Sequence, residues 1–324
     1  MTAWRGPVLP SGKRGMVFKP SESTGGLCAL PQKLPCGQCI GCRLDYSLDW
    51  AYRCLCEAQM HKENSFVTLT YDEFHLPSDG SLNVGEWQLF IKRLRRSTGK
   101  KIRYYHAGEY GERFGRPHYH GLLFGHDFAD KQLFKRSESG SNVYISEVLS
   151  GVWGKGFASV GEVTFESAAY VARYCMKKLN GPAKEVVDAR TGLKPYERFD
   201  GVTGEVLPVR SEYVTMSRRP GIAKSWFERY RDDVYPSGCV VFRGGRKMPP
   251  PRYFDGLYEL DNPVDMKRLK MLRYSRSNRR EDVFSDVLQK VQSLEVNRWD
   301  RLEDMELVKE RQLSVCRRKV ESGL

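Results

Sequence analysis

The chain has 324 residues, of which 40% are hydrophobic, enough for one large core or two modest ones. Its formal net charge of +13 favours a polyanionic partner, most often nucleic acid. We expect no membrane partner, because no apolar run approaches the roughly 20 residues that span a bilayer. The first residues also lack the apolar segment of a secretory signal.

The first predicted elements lead from a polar arm into a helix and a strand. Residues 1–27 are rich in Gly, Pro, Ser and Lys and are predicted to be a flexible arm. Residues 28–62 hold a cysteine cluster and a helix, which helical spacing places over 44–61. A β-branched and aromatic run predicts a strand over 66–71, and an amphipathic pattern predicts a helix over 84–98.

The middle of the chain alternates strands with turns. Two strands are predicted over 101–109 and 118–125, around a turn rich in Gly and Pro. Further strands are expected over 143–148 and 158–163. A helix over 167–179 is stopped by Asn, Gly and Pro.

The last third becomes polar and then strongly charged. Residues 183–208 are predicted to be a loop, 213–235 a loop with a short helix, and 236–262 a linker. Residues 263–324 are predicted to be a charged helical tail with an apolar stripe. This tail either packs back on the rest of the chain or grips phosphates and a partner.

Two histidines alternate on one predicted strand. His118 and His120 therefore lie on one face, about 7 Å apart along the strand. If residues 110–117 close a hairpin that pairs Glu109 with His118, Ala107 opposes His120 and Glu109 joins the same face. Two imidazoles and a carboxylate suit Mg²⁺ or Mn²⁺ and leave positions open for a substrate oxygen. The alternative is that the histidines are merely hydrogen-bonded residues of a sheet.

Two tyrosines and a lysine repeat every four residues in the helix predicted next. Tyr170, Tyr174 and Lys178 therefore share one face. A phenol can attack a phosphate, but with a pKa near 10 it needs a metal ion or a base to activate it. Lys178 could steady the phosphate, and the second tyrosine could carry out a second transesterification. The alternative is a pair of core aromatics, although a lysine on a core stripe is unusual unless its ammonium reaches solvent.

Together these motifs resemble the HUH endonucleases, a superfamily of rolling-circle replication initiators. His118-Tyr119-His120 resembles the His-hydrophobic-His motif, and the helix resembles the family's Tyr-x-x-x-Tyr-x-x-x-Lys motif. The two-tyrosine arrangement is similar to that of the A protein of the isometric coliphages. The block over 35–43 and the segment 217–222 look like those of the shorter initiators of the gokushoviruses.

This resemblance implies an α+β fold, with a five-stranded, mainly antiparallel sheet and flanking helices. The HUH nuclease domain would cover 63–235, with the histidines on a central strand and the tyrosine helix alongside. The implied DNA contacts come from four basic residues: Arg173, Lys177, Arg218 and Arg219.

The resemblance also implies a mechanism and partners. The protein would nick single-stranded phage origin DNA through a 5′-phosphotyrosine link and leave a 3′-OH for synthesis. It would then recircularise the product strand. The implied setting is the cytoplasm of a bacterial host, with a host helicase and polymerase as partners.

Six cysteines crowd into one short segment: Cys28, Cys36, Cys39, Cys42, Cys54 and Cys56. Without an export signal, a disulfide framework is not expected. The C-x-x-C-x-x-C spacing from Cys36 to Cys42 is typical of zinc ligands, with Cys28 as the first candidate for a fourth. Cys54 and Cys56 are alternatives for that place. Free thiols and an iron–sulfur cluster remain open interpretations.

Other functions fit less of the sequence. The histidine-triad nucleotide hydrolases need a third histidine where this chain has Leu122. A non-enzymatic, basic nucleic-acid-binding protein with a zinc knuckle would explain the charge and the cysteines. It would leave Glu109 and the tyrosine face as coincidences. A plasmid initiator or an HUH transposase would use the same chemistry in another setting.

Overall fold

The computed structural model describes residues 2–8, 14–17, 32–111, 115–137, 140–179, 184–200, 203–241, 245, 247–273 and 275. The chain divides into two compact units, Met1–Tyr46 and Ser47–Leu324. Helix α1 (Ile40–Gln59) spans the boundary between them.

The first unit contains a small antiparallel sheet. Strand β1 (Thr2–Val8) pairs with β2 (Arg14–Val17) on one side and with β3 (Gln32–Lys33) on the other. Two of these strands lie in the segment predicted to be a flexible arm. Pairing across the chain satisfies their backbone groups, which the local composition does not predict.

The second unit is built on a large antiparallel sheet. Its strands are β4 (Asn64–Thr70), β5 (Arg103–Tyr110), β6 (Pro117–Phe124), β7 (Gln132–Arg136), β8 (Asn142–Ile145), β9 (Ala158–Gly161) and β12 (Tyr213–Met216). Their order is β12-β5-β6-β4-β9-β8-β7. The prediction of an α+β fold with an antiparallel sheet and flanking helices is confirmed. The predicted number of five strands is wrong, because within the described residues β8 and β7 continue the sheet to seven.

The remaining elements flank this sheet. The helices are α2 (Val84–Thr98), α3 (Glu147–Trp153), α4 (Phe165–Lys177), α5 (Lys224–Ser237) and α6 (Arg252–Asp261). Two small hairpins pair β10 (Glu197–Phe199) with β11 (Val206–Pro208) and β13 (Val240–Val241) with β14 (Lys247–Met248).

The sheet separates two hydrophobic cores. On one face, residues of α2 and α3 pack against inward side chains of β4 and β6, with Trp87, Phe90 and Trp153 buried there. On the other face, residues of α1, α4, α5 and α6 form a second core with Leu122 and Phe124 of β6. Because side chains alternate along a strand, His118 and His120 lie on this second face.

A glycine lets α2 approach the sheet closely behind the histidines. The Trp87 ring lies over Gly121, where a Cβ would come within 2.1 Å of it. The same ring stacks on His106 with centroids 3.9 Å apart. Gly121 is therefore required by packing on the face opposite His120.

The end of the chain differs from its predicted organisation. In the segment predicted to be a linker, α6 buries Phe254 completely in the second core. Residues 263–273 are helical, and Met266 and Leu269 are buried in the same core. The start of the predicted tail thus packs on the second unit, while nearly all of it beyond residue 273 lies outside the described residues.

Candidate active site

The hairpin of β5 and β6 has the register predicted from the sequence. Glu109 lies opposite His118, and Ala107 lies opposite His120. Residues on paired antiparallel strands share a face with their direct partners, so the three candidate ligands lie on one side of the sheet. β6 is flanked by β5 and β4 on its two edges, which fixes the histidines within the sheet rather than at its border.

His120 is buried and held from two sides. It is 1% exposed, and its Nε2 lies 2.9 Å from Oε1 of Glu109, which is itself 5% exposed. Its Nδ1 lies 3.0 Å from the hydroxyl of Thr68 on the neighbouring strand β4. The imidazole is thus oriented with Nε2 towards the carboxylate.

His118 is oriented by the backbone. Its Nδ1 donates to the carbonyl oxygen of Arg116 at 2.7 Å, which leaves Nε2 with the lone pair. The rings of His118 and His120 are nearly parallel, with centroids 6.4 Å apart. Burial, and then the neighbouring His120, lower the pKa of His118, so it is a neutral imidazole near pH 7.

The tyrosine helix packs directly over this site. Tyr174 is 4% exposed and stacks on His120 with ring centroids 5.1 Å apart, while Tyr170 meets the same imidazole edge-on at 5.2 Å. Burial raises the pKa of Tyr174 well above its usual value, and Tyr170 and Glu109 raise it further, including through hydrogen bonds to both. The phenol is therefore protonated at neutral pH and needs a proton acceptor before it can act as a nucleophile.

The predicted basic residues are distributed differently. Helix α4 ends at Lys177, so the exposed Lys178 is its C-terminal cap rather than part of a continued helical face. Arg173 is half-buried and bonds its own helix through the carbonyl of Ala169. The side chain of Lys177 lies outside the described residues.

The exposed Arg218 and Arg219 are not brought to the histidines. They follow β12 at its Met216 end, which pairs with Tyr105, whereas Glu109 lies at the other end of β5. Their predicted contact with DNA stays a prediction.

The donor set of the site fits a divalent cation in its chemistry. Both histidines have Nδ1 engaged by a partner that orients the ring, which is the arrangement typical of metal-binding histidines. Glu109 supplies an oxygen on the same face. The three ligand atoms do not all lie within 4.8 Å of one another, so binding would require the Glu109–His120 contact to rearrange.

A separate cluster of thiols lies in the first unit. The sulfur atoms of Cys36, Cys39 and Cys42 all lie within 4.8 Å of one another, the only such group of potential ligands among the described residues. Cys36 and Cys42 have their sulfurs 4.0 Å apart. This group could hold a metal ion, while Cys28 lies outside the described residues.

Cys54 and Cys56 do not join this cluster. Both are fully buried in the hydrophobic core of the second unit, and burial raises the pKa of each thiol above its usual value. A protonated, buried thiol packs as a small apolar side chain. The sequence alternatives for a fourth ligand are thereby reduced.

Two residues of the site were not found from the sequence. Thr68 orients His120, and Arg116 orients His118 through its carbonyl oxygen while its side chain bonds Glu73 and the carbonyl of Tyr71. The pairing of β4 with β6 was the missing information, because it places Thr68 directly opposite His120.

Comparison with known proteins agrees with this site. Residues 64–179 match the family model of the replication-associated protein ORF2, a segment that includes both histidines and both tyrosines. The chain is 34% identical over 266 residues to replication-associated protein VP4 of Bdellovibrio phage phiMH2K, covering 78% of each. It is 33% identical over 234 residues to replication-associated protein ORF2 of Spiroplasma virus 4, covering 68% of this chain and 66% of that protein.

A third relative is replication-associated protein ORF4 of Chlamydia phage 1, 39% identical over 153 residues, 45% of this chain and 38% of that protein. The chain therefore belongs to the family of phage replication-associated proteins. Its relatives come from gokushovirus-type microviruses. No solved structure matches it. Within the described residues, no helix has the length and apolar character needed to cross a membrane.

Proposed function

We propose that this protein initiates phage replication by nicking single-stranded origin DNA through a tyrosine nucleophile. The observation that carries the proposal is the stacking of Tyr174 on His120, 5.1 Å between centroids, beside the buried carboxylate of Glu109. A phenol, an oriented imidazole and a proton acceptor are the groups that transfer of a phosphodiester to tyrosine requires. The match of residues 64–179 to a replication-associated family supports the same role.

In this mechanism the protein forms and breaks one bond at phosphorus. The tyrosine oxygen forms a bond to the scissile phosphorus, and the bond from phosphorus to the 3′ oxygen breaks. Glu109, which is hydrogen-bonded to Tyr174, takes the phenolic proton, and the released 3′ oxygen gains a proton. The DNA 5′ end is then held as a phosphotyrosine, while the 3′-OH is free to prime synthesis. We assign the first cut to Tyr174, because it contacts Glu109 and lies one helical turn from Lys178.

Glu109, His118 and His120 would hold the divalent ion, Mg²⁺ or Mn²⁺. When bound, such an ion polarises a phosphate oxygen and stabilises developing charge. The protein's part is to keep both imidazoles oriented through Thr68 and the Arg116 carbonyl. Burial of the site excludes competing water.

The second tyrosine accounts for the end of the cycle. Tyr170 and Tyr174 have ring centroids 4.9 Å apart, so both can reach the same phosphate region by small movements of one helix. After a round of synthesis by a host polymerase, with a host helicase opening the duplex, the free tyrosine cuts again. The released 3′-OH then attacks the first phosphotyrosine and closes the product strand.

The experiment is a search for a covalent adduct. The full chain is incubated with single-stranded phage origin DNA and Mn²⁺, and the adduct is located by mass spectrometry. We expect linkage at Tyr174 and Tyr170, none in the Tyr170→Phe/Tyr174→Phe double variant, and none in EDTA. Tyr144→Phe, a half-buried tyrosine on the opposite face of the sheet, is the matched control. Adducts from the double variant would refute the tyrosine mechanism.

The cysteine cluster supports a second, structural metal site. A zinc–sulfur bond of about 2.3 Å gives sulfur atoms about 3.8 Å apart in a tetrahedron, close to the 4.0 Å between Cys36 and Cys42. We propose one zinc per chain, bound by Cys36, Cys39, Cys42 and a fourth ligand, with Cys28 as the first candidate. If nicking fails while zinc and DNA binding persist, the protein is instead a non-enzymatic DNA-binding protein with a zinc knuckle. The adduct and metal assays together separate the two.

A further inference from the structure

Two phenylalanines lie exposed on the outer strands of the large sheet. Phe134 in β7 is 52% exposed and Phe157, just before β9, is 51% exposed, with ring centroids 5.6 Å apart. Neither belongs to the two hydrophobic cores. An exposed pair of aromatic rings in contact is a small apolar surface without a structural task in the described part of the fold.

The phenylalanines lie on the same face of the sheet as the candidate active site. Thr68 lies opposite His120 on one side and opposite Ser159 on the other, so Ser159 shares the histidine face. Phe157 precedes Ser159 by two residues, and its carbonyl accepts hydrogen bonds from the backbone and hydroxyl of Thr70, which itself opposes His118. Phe157 is thus two strand spacings from His118, about 10 Å.

Beyond β4 this face is not covered by the helices that bury the histidines. All five residues of β7 are exposed, and the residues of β8 are only partly buried. The sheet therefore continues from the tyrosine helix into an open surface. We call this surface of β7, β8 and β9, centred on Phe134 and Phe157, the aromatic platform.

The charge of the platform favours a nucleic acid over a second protein copy. Strand β7 carries Lys135 and Arg136 and no acidic residue. Lysine and arginine on an edge strand oppose pairing with another strand of the same kind. The same charges attract phosphates, and every base offers a flat face for stacking on an aromatic ring, whatever its sequence.

We propose that the aromatic platform binds single-stranded DNA next to the scissile phosphate, with Phe134 and Phe157 stacking on bases and Lys135 contacting a phosphate. The proposal rests on the proposed nicking function for its substrate. It assigns a role to the two strands by which the sheet exceeds five. The stacked bases hold the strand on the histidine face, and the phosphate between them and β6 is thereby directed to Tyr174.

The test measures affinity in a chain that cannot cut. In the full-length Tyr170→Phe/Tyr174→Phe background, a fluorescent single-stranded origin oligonucleotide is titrated against Phe134→Ala/Phe157→Ala. We expect binding at least about tenfold weaker, which corresponds to about 1.4 kcal/mol, the lower part of the range for one base on one ring. Phe134→Tyr/Phe157→Tyr should retain the affinity. Leu133→Ala is the matched control, because Leu133 is 60% exposed on the same strand but opposes Tyr144, which packs on the α2 side.

An abasic scan makes the assignment specific. Single abasic sites are placed along the oligonucleotide, and the position that weakens binding to the parent chain is identified. At that position the same abasic site should cost nothing further in Phe134→Ala/Phe157→Ala, since the stacking partner is already absent. Lys135→Ala should reduce the slope of log affinity against log salt by about 0.7.

Three results would overturn the platform. They are unchanged affinity of Phe134→Ala/Phe157→Ala, an abasic penalty that persists in this variant, and a change of oligomeric state in sedimentation with no change in DNA affinity. The last result would assign the surface to a second copy of the chain. Adduct formation by the wild-type chain is recorded in parallel. A platform that binds DNA in a chain without adducts would fail the nicking function alone, and adducts with an inert platform would fail the platform alone.

Discussion

Thr68 offers the sharpest test of how the site is held. Its hydroxyl lies 3.0 Å from Nδ1 of His120, and both residues are buried. Thr68→Val keeps the shape of the side chain and removes the hydroxyl, so one imidazole nitrogen loses its partner in a site closed to solvent. Leaving a buried polar atom unpaired costs about 1–3 kcal/mol.

The expected consequence is a loss of nicking larger than the loss of stability explains. Residues that orient a metal-binding histidine typically contribute about 10–100-fold to metal affinity or activity. We expect the rate of adduct formation by Thr68→Val to fall by a factor in this range, with partial rescue at high Mn²⁺ concentration. Thr68→Ser, which keeps the hydroxyl, should retain most of the rate.

The fold provides a matched control on the other face of the sheet. Thr215 places its hydroxyl 2.7 Å from Nδ1 of His106, which is fully buried. Thr215→Val should lower the free energy of unfolding by a similar amount, measured by urea denaturation, with the nicking rate of the folded protein unchanged. If Thr68→Val nicks at the wild-type rate, or if Thr215→Val loses as much rate, the orienting role of Thr68 is refuted.

Three further predictions concern packing, charge and metal. Gly121→Ala places a methyl group against the Trp87 ring and should destabilise the fold by about 1–3 kcal/mol or more in urea denaturation. An unchanged midpoint would contradict the packing. Glu57→Gln leaves Arg103 without its buried partner and should cost about 3–5 kcal/mol at pH 7. Burial raises the pKa of Glu57, but hydrogen bonds from three donors bring it below its usual value. The stability it contributes is thus present above pH 4.5 and lost as the pH falls through the lowered pKa, so the acid limb of the stability profile should flatten in Glu57→Gln. Cys39→Ser should lower the zinc content measured by elemental analysis, whereas Cys239→Ser should leave it unchanged.

Elements governed by local signals could be predicted closely. Helix α2 has the predicted bounds, because Asn83 caps its start and Gly99, in the left-handed conformation, ends it. The register of the β5–β6 hairpin follows from the alternation of two adjacent strands and the length of the turn between them. The face shared by Glu109, His118 and His120 was predictable for the same reason.

Elements governed by distant pairing could not be predicted. Strand β7 is exposed along its whole length, so it shows no alternation of buried and exposed residues, and only its partner β8 makes it a strand. Thr68 and Phe157 gain their positions from the pairing of β4 with β6 and β9, which no local pattern reveals. In helix α4 the tyrosine spacing was readable, but the end at Lys177 was not, and so the sequence placed Lys178 inside the helix.

The division of the sheet between two cores has a consequence for movement during the reaction cycle. The strands keep the α2 core behind them whether or not α4 is in place, because that core shares no buried residue with the one in front. Helix α4 can therefore slide or tilt by the few ångströms that bring one tyrosine forward and withdraw the other, while the histidines stay anchored to an undisturbed support. Two successive nucleophiles can then serve one stationary set of ligands, and amide hydrogens of α4 should exchange with solvent faster than those of β6.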